Sequence, residues 1–363
     1  MIRTEEHRKG DSAACSASPL PWSHRSKKPL NISGCVARMV KWIGCCVLFC
    51  CLSSVPAAGA GDKIVLQLPW HHQFQFAGYY AAIAQGYYQE AGLDVTVNSI
   101  SPGLIPVDEV LAGRAQYGVS RSELLLHRLR GKPVVALATI FQHSAIIMLA
   151  RQDSGINTPQ DMIGRRVMLL AGDNSAEYTA TFKSVGMTLD QLQVLPSSFT
   201  IQDLIDGKTD VFNAYITNEP FVLEEKKIPY AIIKPIDYGI DFYGDTLFTA
   251  ERELAQHPDR VKAFRAASIR GWEYAIAHRE EIINLLIQKY KVDKTPSQLR
   301  YEANAMDKLI LPQLVPIGQM LDKRWEKMAE TYLHLGLIEP GSAWQIFCTR
   351  RHHHRTMPAC APR

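Results

Sequence analysis

The chain has 363 residues, a net charge of +4 and eight cysteines, and its length suits about two domains of ordinary size. All eight cysteines lie within residues 1–61 and 342–363, so residues 62–341 cannot carry a disulfide framework. Residues 62–341 hold 28 basic and 33 acidic side chains, and this mildly acidic balance gives no electrostatic reason to bind nucleic acid. One basic cluster, Arg121, Arg128, Arg130 and Lys132, is predicted to be a solvated helix end.

Residues 39–60 have the pattern of a secretory signal peptide. Lys41 supplies the basic start, an apolar run extends from Trp42 to Leu52, and Ala58-Gly59-Ala60 forms a cleavage site. The apolar run is shorter than the roughly 20 residues that a membrane span needs, and an uncleaved anchor is the alternative. We therefore expect residues 1–60 to be an N-terminal extension and signal peptide, with translation starting at Met39. The remaining chain is expected to be exported to the periplasm.

Residues 63–97 predict a β-α-β unit in which an aromatic loop connects the first strand to the helix. In open α/β sheets, ligands bind outside the carboxyl ends of the strands. The loop after the first strand therefore supplies four candidate ligand-binding residues, Trp70, His71, Gln73 and Phe74. Trp70 offers a flat face on which a planar ligand can stack. His71 and His72 are adjacent, so in an extended loop they point opposite ways and would not chelate one metal ion.

Ser120 follows the next short strand, Tyr117–Val119, at a predicted strand-to-helix transition. A serine there caps the helix, or it lies beside helix N–H groups that meet a ligand, and both interpretations stay open. Two further buried strands are predicted at Val134–Thr139 and Ala145–Ala150. The polar segment Arg151–Gly155 is then interpreted as the first crossing into a second lobe.

The second lobe is predicted to begin with a short capped helix, Thr158–Ile163, and a strand, Arg166–Leu170, followed by a turn that contains Asp173, Asn174 and Ser175. Such a turn aims backbone N–H groups at a polar or anionic ligand, but the same residue types are ordinary turn chemistry. These three residues are therefore candidate ligand contacts.

Asn218 and Glu219 follow another strand of this lobe, Val211–Tyr215, and precede Pro220 at the start of a helix. The Glu219 carboxylate could accept hydrogen bonds from an amino group of a ligand, or it only caps its own helix. The return crossing is predicted at Asp237–Asp245, where Tyr238 and Tyr243 could stack on a planar ligand or pack the hinge.

Four helices are predicted to close the first lobe, at Pro258–His278, Glu280–Tyr290, Ser297–Leu309 and Asp322–Leu335. The predicted first lobe thus comprises residues 62–150 and 246–341, and the second lobe residues 151–245. Residues 342–363 change composition abruptly and are expected to be an irregular tail.

Several of these segments carry a family resemblance. The leading strand, Trp70 and the segment GYYQEAGLDV (Gly86–Val95) resemble the binding-protein group for thiamine pyrimidine precursors and sulfonates, which also contains the fungal thiamine pyrimidine synthases. The segments TNEPFVLEEKKIPY (Thr217–Tyr230) and DYGIDFYGDTLFT (Asp237–Thr249) resemble in particular the members that serve as sensor modules. The resemblance covers residues 63–341.

The resemblance implies an α/β, two-lobed periplasmic binding protein fold of type II, with mixed sheets flanked by helices and two crossing linkers. It implies a small planar heterocycle, such as a hydroxymethylpyrimidine-type thiamine precursor, as the ligand and an ABC permease or a signalling protein as the partner. No cofactor is expected.

Two alternative functions follow from the same resemblance. The first is a thiamine pyrimidine synthase, which uses pyridoxal phosphate, iron, a Schiff-base lysine and a cysteine-rich loop. The matching segments, Gly118–Arg121 and Tyr238–Thr246, contain neither lysine nor cysteine, and common catalytic and nucleotide-binding motifs are absent from the sequence, so we expect no enzyme. The second is the ligand-sensing half of a membrane signalling protein.

Overall fold

The computed structural model describes residues 61–101 and 103–339, so the predicted signal peptide and the irregular tail lie outside the described residues. The strands are β1 Asp62–Gln67, β2 Leu93–Asn98, β3 Tyr117–Ser120, β4 Val134–Thr139, β5 Ile146–Arg151, β6 Arg166–Leu169, β7 Gln193–Pro196, β8 Val211–Tyr215, β9 Tyr230–Ile233 and β10 Thr246–Ala250. The α-helices are α1 Ala77–Ala84, α2 Tyr87–Glu90, α3 Pro106–Leu111, α4 Glu123–Leu129, α5 Ala176–Ser184, α6 Gln202–Ile205, α7 Glu219–Glu225, α8 Glu251–Gln256, α9 Pro258–Ala277, α10 Arg279–Lys289, α11 Pro296–Ile310 and α12 Asp322–His334. Six short 3₁₀ helices occupy Phe74–Phe76, Gln152–Ser154, Pro159–Met162, Gly172–Ser175, Leu189–Gln191 and Pro235–Tyr238.

The first lobe is built on a five-stranded sheet in the order β2-β1-β3-β10-β4. β1 runs parallel to β2 and β3, whereas β10 is antiparallel to β3 and β4. The sequence VVALAT of β4 is buried at every position, as expected for a strand covered by helices on both faces.

The second lobe repeats this arrangement with the order β7-β6-β8-β5-β9. β6 is parallel to β7 and β8, and β5 is antiparallel to β8 and β9. β5 and β10, which run antiparallel to both of their neighbours, are each the first strand that the chain forms after it crosses from one lobe to the other. The structure thus confirms the predicted two-lobed α/β fold with mixed sheets and two crossing linkers.

The first crossing differs from the prediction. The strand predicted at Ala145–Ala150 as part of the first lobe is β5, which pairs with β8 and β9 in the second sheet. The chain therefore crosses within residues 140–145, and the predicted crossing Arg151–Gly155 lies inside the second lobe, where Gln152 N donates to Pro229 O at 2.9 Å. The physical reason is that a fully apolar strand reads as buried, but its composition does not say which sheet buries it.

The return crossing occupies the residues between β9 and β10, and it includes the predicted segment Asp237–Asp245. The two crossings are hydrogen-bonded side by side: Ile140 N donates to Asp245 O at 2.8 Å, and Gly244 N donates to Phe141 O at 3.0 Å. A side chain on Gly244 would press against Phe141, so glycine permits this close approach. The crossings thus form one paired hinge.

Helix α11 fixes the loop that precedes α1. The backbone N–H groups of Phe74 and Gln75 donate to the buried carboxylate of Glu302 at 3.2 and 3.3 Å. These donors belong to the 3₁₀ turn before α1 and have no intrahelical partner of their own. The loop carrying Trp70 and Gln73 is thereby tied to the first lobe. Among the helices of residues 61–101 and 103–339, none is long and apolar enough to cross a membrane.

Candidate functional site

A cleft between the two lobes opens where β1, β3 and β8 end. It encloses about 580 Å³ of space not occupied by atoms, including its open mouth. Its lining consists of Pro69, Trp70, Gln73, Gln75 and Arg121 from the first lobe and Leu170, Tyr178, Phe199, Phe212, Asn213, Ala214, Tyr215, Asn218 and Glu219 from the second lobe.

Four of the twelve predicted site residues line this cleft: Trp70, Gln73, Asn218 and Glu219. Trp70 follows the end of β1, and its carbonyl oxygen accepts a hydrogen bond from Ile100 N at 3.2 Å. Across the cleft, the Trp70 ring meets the ring of Phe199, with centroids 5.6 Å apart. The sequence analysis did not identify Phe199 as a site residue.

A chain of side-chain amides forms the polar wall of the first lobe. Gln75 Nε2 donates to Asp245 Oδ2 at 2.7 Å, and Gln73 Nε2 donates to Gln75 Oε1 at 2.5 Å. Because Asp245 accepts at the end of the chain, both amides are oriented, and Gln73 Oε1 is left without a partner among the described residues. Burial raises the pKa of Asp245 to about 7.

The second lobe contributes a matching acceptor. Asn213 lies on β8 and is buried, and its Oδ1 also has no hydrogen-bond partner among the described residues. A buried acceptor without a partner is unfavourable, so the cleft offers two acceptor atoms, one from each lobe, to N–H groups of a ligand.

Glu219 and Asn218 have protein partners already. Glu219 Oε2 accepts from Tyr215 N at 2.7 Å and Glu219 Oε1 accepts from Asn218 Nδ2 at 3.0 Å, which closes the turn between β8 and α7. Asn218 Oδ1 in turn accepts from Lys294 Nζ of the first lobe at 2.6 Å. Burial raises the pKa of Glu219. The carboxylate therefore closes its own turn and also lies on the cleft wall, and its contact with a ligand stays a prediction.

Arg121 is the main departure from the sequence analysis, because its prediction as part of a solvated helix end is wrong. Its side chain is only 13% exposed and lies over the Tyr215 ring, 5.9 Å from the ring centroid. Arg121 Nη2 donates to Asn174 Oδ1 at 2.8 Å, and Nε donates to Glu123 Oε1 at 3.4 Å. Burial alone would lower the pKa of Arg121, but Glu123 and Tyr215 raise it, so the guanidinium stays charged.

Eight predicted site residues lie outside the cleft lining and contact the protein instead. Ser120 Oγ donates to Glu123 Oε1 at 3.0 Å, and Ser175 Oγ donates to Gly172 O at 2.8 Å. Asp173 pairs with Arg130, and Asn174 reaches the cleft only through Arg121. The remaining four are His71, edge-on to Trp70; Phe74 and Tyr243, both buried in the core; and Tyr238, packed on the core of the second lobe.

Four of the ten lining residues that the sequence analysis missed are aromatic. Tyr178, Phe199, Phe212 and Tyr215 line the second-lobe side of the cleft. Tyr215 and Arg121 each stand at or next to a strand end, the same signal that selected Ser120 and Glu219. Phe199 lies in a loop after β7, and the one signal in the sequence is that a large apolar residue stands among polar neighbours there. Within the described residues, no three His, Cys, Asp or Glu side chains are grouped to hold a metal ion.

Comparison with known proteins places this geometry in context. A sequence model of the family described as NMT1/THI5 like matches residues 73–282. The chain is 23% identical to a formylaminopyrimidine-binding protein of Halalkalibacterium halodurans, over 74% of this chain and 83% of that protein. It is 25% identical to the riboflavin-binding protein RibY of Chloroflexus aurantiacus, over 62% of this chain and 66% of that protein. It is 22% identical to the 4-amino-5-hydroxymethyl-2-methylpyrimidine phosphate synthase of Legionella pneumophila, over 77% of this chain and 88% of that enzyme.

Solved structures show the same fold. The alkanesulfonate-binding protein SsuA from Xanthomonas axonopodis pv. citri, bound to MOPS, superposes with a TM-score of 0.60 at 12% identity, over 77% of this chain and 96% of that one. The periplasmic aliphatic sulphonate binding protein SsuA from Escherichia coli gives a TM-score of 0.59 at 13% identity, over 77% of this chain and 94% of that one. At identities this low, the similarity shows the fold and does not identify the ligand.

Proposed function

Because the chain belongs to the NMT1/THI5-like family, we propose that it is a periplasmic solute-binding protein whose ligand is a small planar heterocycle, a pyrimidine precursor of thiamine. The observation that carries this proposal is the cleft itself. Aromatic rings from both lobes face a narrow space, and an unpartnered amide oxygen stands on each side of it. The formylaminopyrimidine-binding relative supports the pyrimidine, because the ligand in its name is a flat, aminated ring.

The polar groups of the cleft favour a ligand that donates hydrogen bonds. Gln73 Oε1 and Asn213 Oδ1 can only accept, so a ring with N–H groups on two edges would satisfy both. A sulfonate presents only acceptors and needs donors around it. Arg121 is the sole cation among the described lining residues, and two of its five N–H groups donate to Asn174 and Glu123, so it alone would have to neutralise a sulfonate. The cleft therefore matches an aminated heterocycle better than the sulfonates of the structural neighbours.

The proposed role is capture of this heterocycle after export and its delivery to an ABC permease. The binding-protein relatives and the periplasmic binding fold support this role. The ligand-sensing half of a signalling protein would use the same cleft and the same closure, so the two roles differ in the partner and share the ligand. In both, closure about the paired hinge reports occupancy.

Binding without catalysis is part of the proposal, although synthases are among the relatives. β3 ends at Ser120 and is followed by Arg121-Ser122, so the strand end that would present a Schiff-base lysine presents arginine instead. Incubation of the full chain with pyridoxal phosphate and iron should give no Schiff-base absorbance. An absorbance band that disappears on borohydride treatment would instead support a synthase.

Isothermal titration calorimetry of the full chain tests the ligand class. Formylaminopyrimidine should give saturable heat with one site per chain, whereas MOPS should give none. Riboflavin is titrated as the competing heterocycle, because it is the ligand named for another relative. Saturable binding of MOPS together with no heat from the pyrimidine would contradict the proposal.

A further inference from the structure

Phe199 combines two properties that a loop residue rarely has together. The residue is 61% exposed although its side chain is large and apolar, and its φ of +59° lies in the left-handed region that disfavours non-glycine residues. Residues held in such a conformation concentrate at ligand sites, where surrounding structure maintains the strain. Among the residues that line the cleft, Phe199 is the one with a positive φ.

The loop that carries Phe199 is held by its own hydrogen bonds. Ser197 N donates to Leu169 O at 3.0 Å, which anchors the loop to β6. Phe199 N donates to Ser197 Oγ at 3.3 Å, and Ser198 Oγ donates to Thr200 O at 3.5 Å. These bonds fix the backbone turn, so the ring of Phe199 is presented at the cleft mouth by a built loop.

The ring of Phe199 contacts Trp70 on the opposite lobe. Their centroids lie 5.6 Å apart with an interplanar angle of 44°, within the range of favourable aromatic pairs. Trp70 follows β1 of the first lobe and Phe199 follows β7 of the second, so this contact joins the two lobes and their separation would break it. Opening would return both ring faces to water.

We propose that Trp70 and Phe199 form an aromatic clasp across the mouth of the cleft, in which Phe199 retains the ligand that Trp70 stacks upon. Retention of a ligand rests on the proposed function, whereas the contact between the lobes does not. An aromatic pair of this kind stabilises the closed form, so loss of the Phe199 ring should speed dissociation, and it should not slow association because the empty protein must open before it binds. Phe199 is therefore a positioning residue that determines how long a planar ligand stays bound.

Stopped-flow kinetics with formylaminopyrimidine and the full chain tests retention. Phe199→Ala should raise the dissociation rate roughly three- to tenfold, the range expected for loss of one aromatic pair, and should not lower the association rate. Phe199→Tyr keeps the ring and should restore the wild-type rate. Lys227→Ala is the matched control, because Lys227 is exposed, has a φ of +55° and lies outside the cleft lining.

Fluorine NMR of 5-fluorotryptophan-labelled full chain tests the contact without a ligand. The Trp70 resonance is assigned by its loss in Trp70→Phe. Phe199→Ala should shift this resonance and leave the other tryptophan lines in place, and Lys227→Ala should shift none of them. An unshifted Trp70 line overturns the clasp. A shifted line with an unchanged dissociation rate overturns its role in retention. If the wild type does not bind formylaminopyrimidine, the proposed function fails, and the NMR result alone decides the clasp.

Discussion

At the scale of single residues, the cleft wall holds two kinds of polar group. Asn218 and Glu219 have protein partners, whereas Gln73 Oε1 and Asn213 Oδ1 have none among the described residues. Leaving a buried acceptor unpaired costs about 1–3 kcal/mol, so a ligand that supplies both missing donors recovers this free energy when it displaces water or empty space. Discrimination between ligands is therefore expected to come from the amide oxygens, and affinity from the aromatic rings.

The first prediction at this scale concerns Trp70 and Glu219. Trp70→Ala should weaken formylaminopyrimidine binding by about 1–3 kcal/mol, by analogy with loss of a base–aromatic stack. Glu219→Gln should weaken it by about 1.5–3 kcal/mol, because each carboxylate oxygen has a second lone pair for a charge-assisted bond with the ligand. Calorimetry on each variant gives both values.

Ser175→Ala is the control for this pair, because Ser175 was predicted as a ligand contact but lies outside the cleft lining. It should bind formylaminopyrimidine like the wild type. All three variants should keep their melting temperatures within a few degrees without ligand. Unchanged affinity in Trp70→Ala and Glu219→Gln would mean that these residues only pack and cap.

The sequence located the edge of the sheets at which the site lies, but it did not show which side chains face the cleft. Position at a strand end predicted both Ser120 and Glu219 as site residues. Ser120 instead donates a hydrogen bond to Glu123, whereas Glu219 lies on the cleft wall. One residue further on, Arg121 was assigned to solvent because its neighbours are basic. Its side chain bonds to Asn174, 53 residues away in the sequence, and the residues next to Arg121 cannot predict such a contact.

At the scale of elements, helix boundaries were predicted within one or two residues where a proline marks the start. Helix α9 runs Pro258–Ala277 against the predicted Pro258–His278, since proline is favoured at the first helical position. Strand partners were less predictable. β5 was placed in the first lobe because strand order depends on tertiary contacts that the apolar pattern of β5 does not encode.

The close crossing of α1 and α9 supports the loop of Trp70 and yields an element-scale prediction. A Cβ atom on Gly271 would overlap with Gly78 O, and a Cβ on Gly78 would overlap with the Trp272 ring. Gly271→Ala should therefore lower the free energy of unfolding by about 1–3 kcal/mol, the usual cost of overpacking. Chemical unfolding of the full chain measures this loss.

Ala266→Ser, on the exposed face of the same helix, is the control and should change the free energy of unfolding by less than about 0.5 kcal/mol. Wild-type stability in Gly271→Ala would show that α1 and α9 separate without cost, and the helix contact would then not hold the loop of Trp70 in place.

At the scale of the whole molecule, a buried carboxylate connects the two lobes beside the hinge. Glu177 of α5 in the second lobe accepts hydrogen bonds at Oε2 from Ser122 of the first lobe, at 3.1 Å, and from Ser144 of the first crossing, at 3.0 Å. Its Oε1 has no partner among the described residues. Burial raises the pKa of Glu177 from an ordinary value of 4.5 to about 8, although the two serines and Arg121 act in the opposite direction.

This raised pKa predicts how stability depends on pH. Between about pH 4.5 and 8 the folded protein holds a proton on Glu177 that the unfolded chain has released. The folded state therefore binds more protons, and the free energy of unfolding should fall as pH rises through this window. Asp245, with a pKa raised to about 7, adds to the same trend. The contribution of Glu177 is therefore measured as the difference in unfolding free energy between the wild type and a variant that lacks this carboxyl group.

Glu177→Gln isolates that contribution, because glutamine keeps an acceptor for Ser122 and Ser144 but carries no titrating proton. Chemical unfolding at pH 5, 6, 7 and 8 should show a shallower decline for Glu177→Gln than for the wild type. The gap between the two proteins should reach about 3 kcal/mol across this range, from roughly 1.4 kcal/mol per pKa unit. Glu225→Gln, at an exposed position of α7, should follow the wild type. If Glu177→Gln keeps the wild-type pH dependence, the Glu177 carboxylate is ionised in the folded protein. A charged group would then join the two lobes, and its Oε1 atom would need a hydrogen-bond donor.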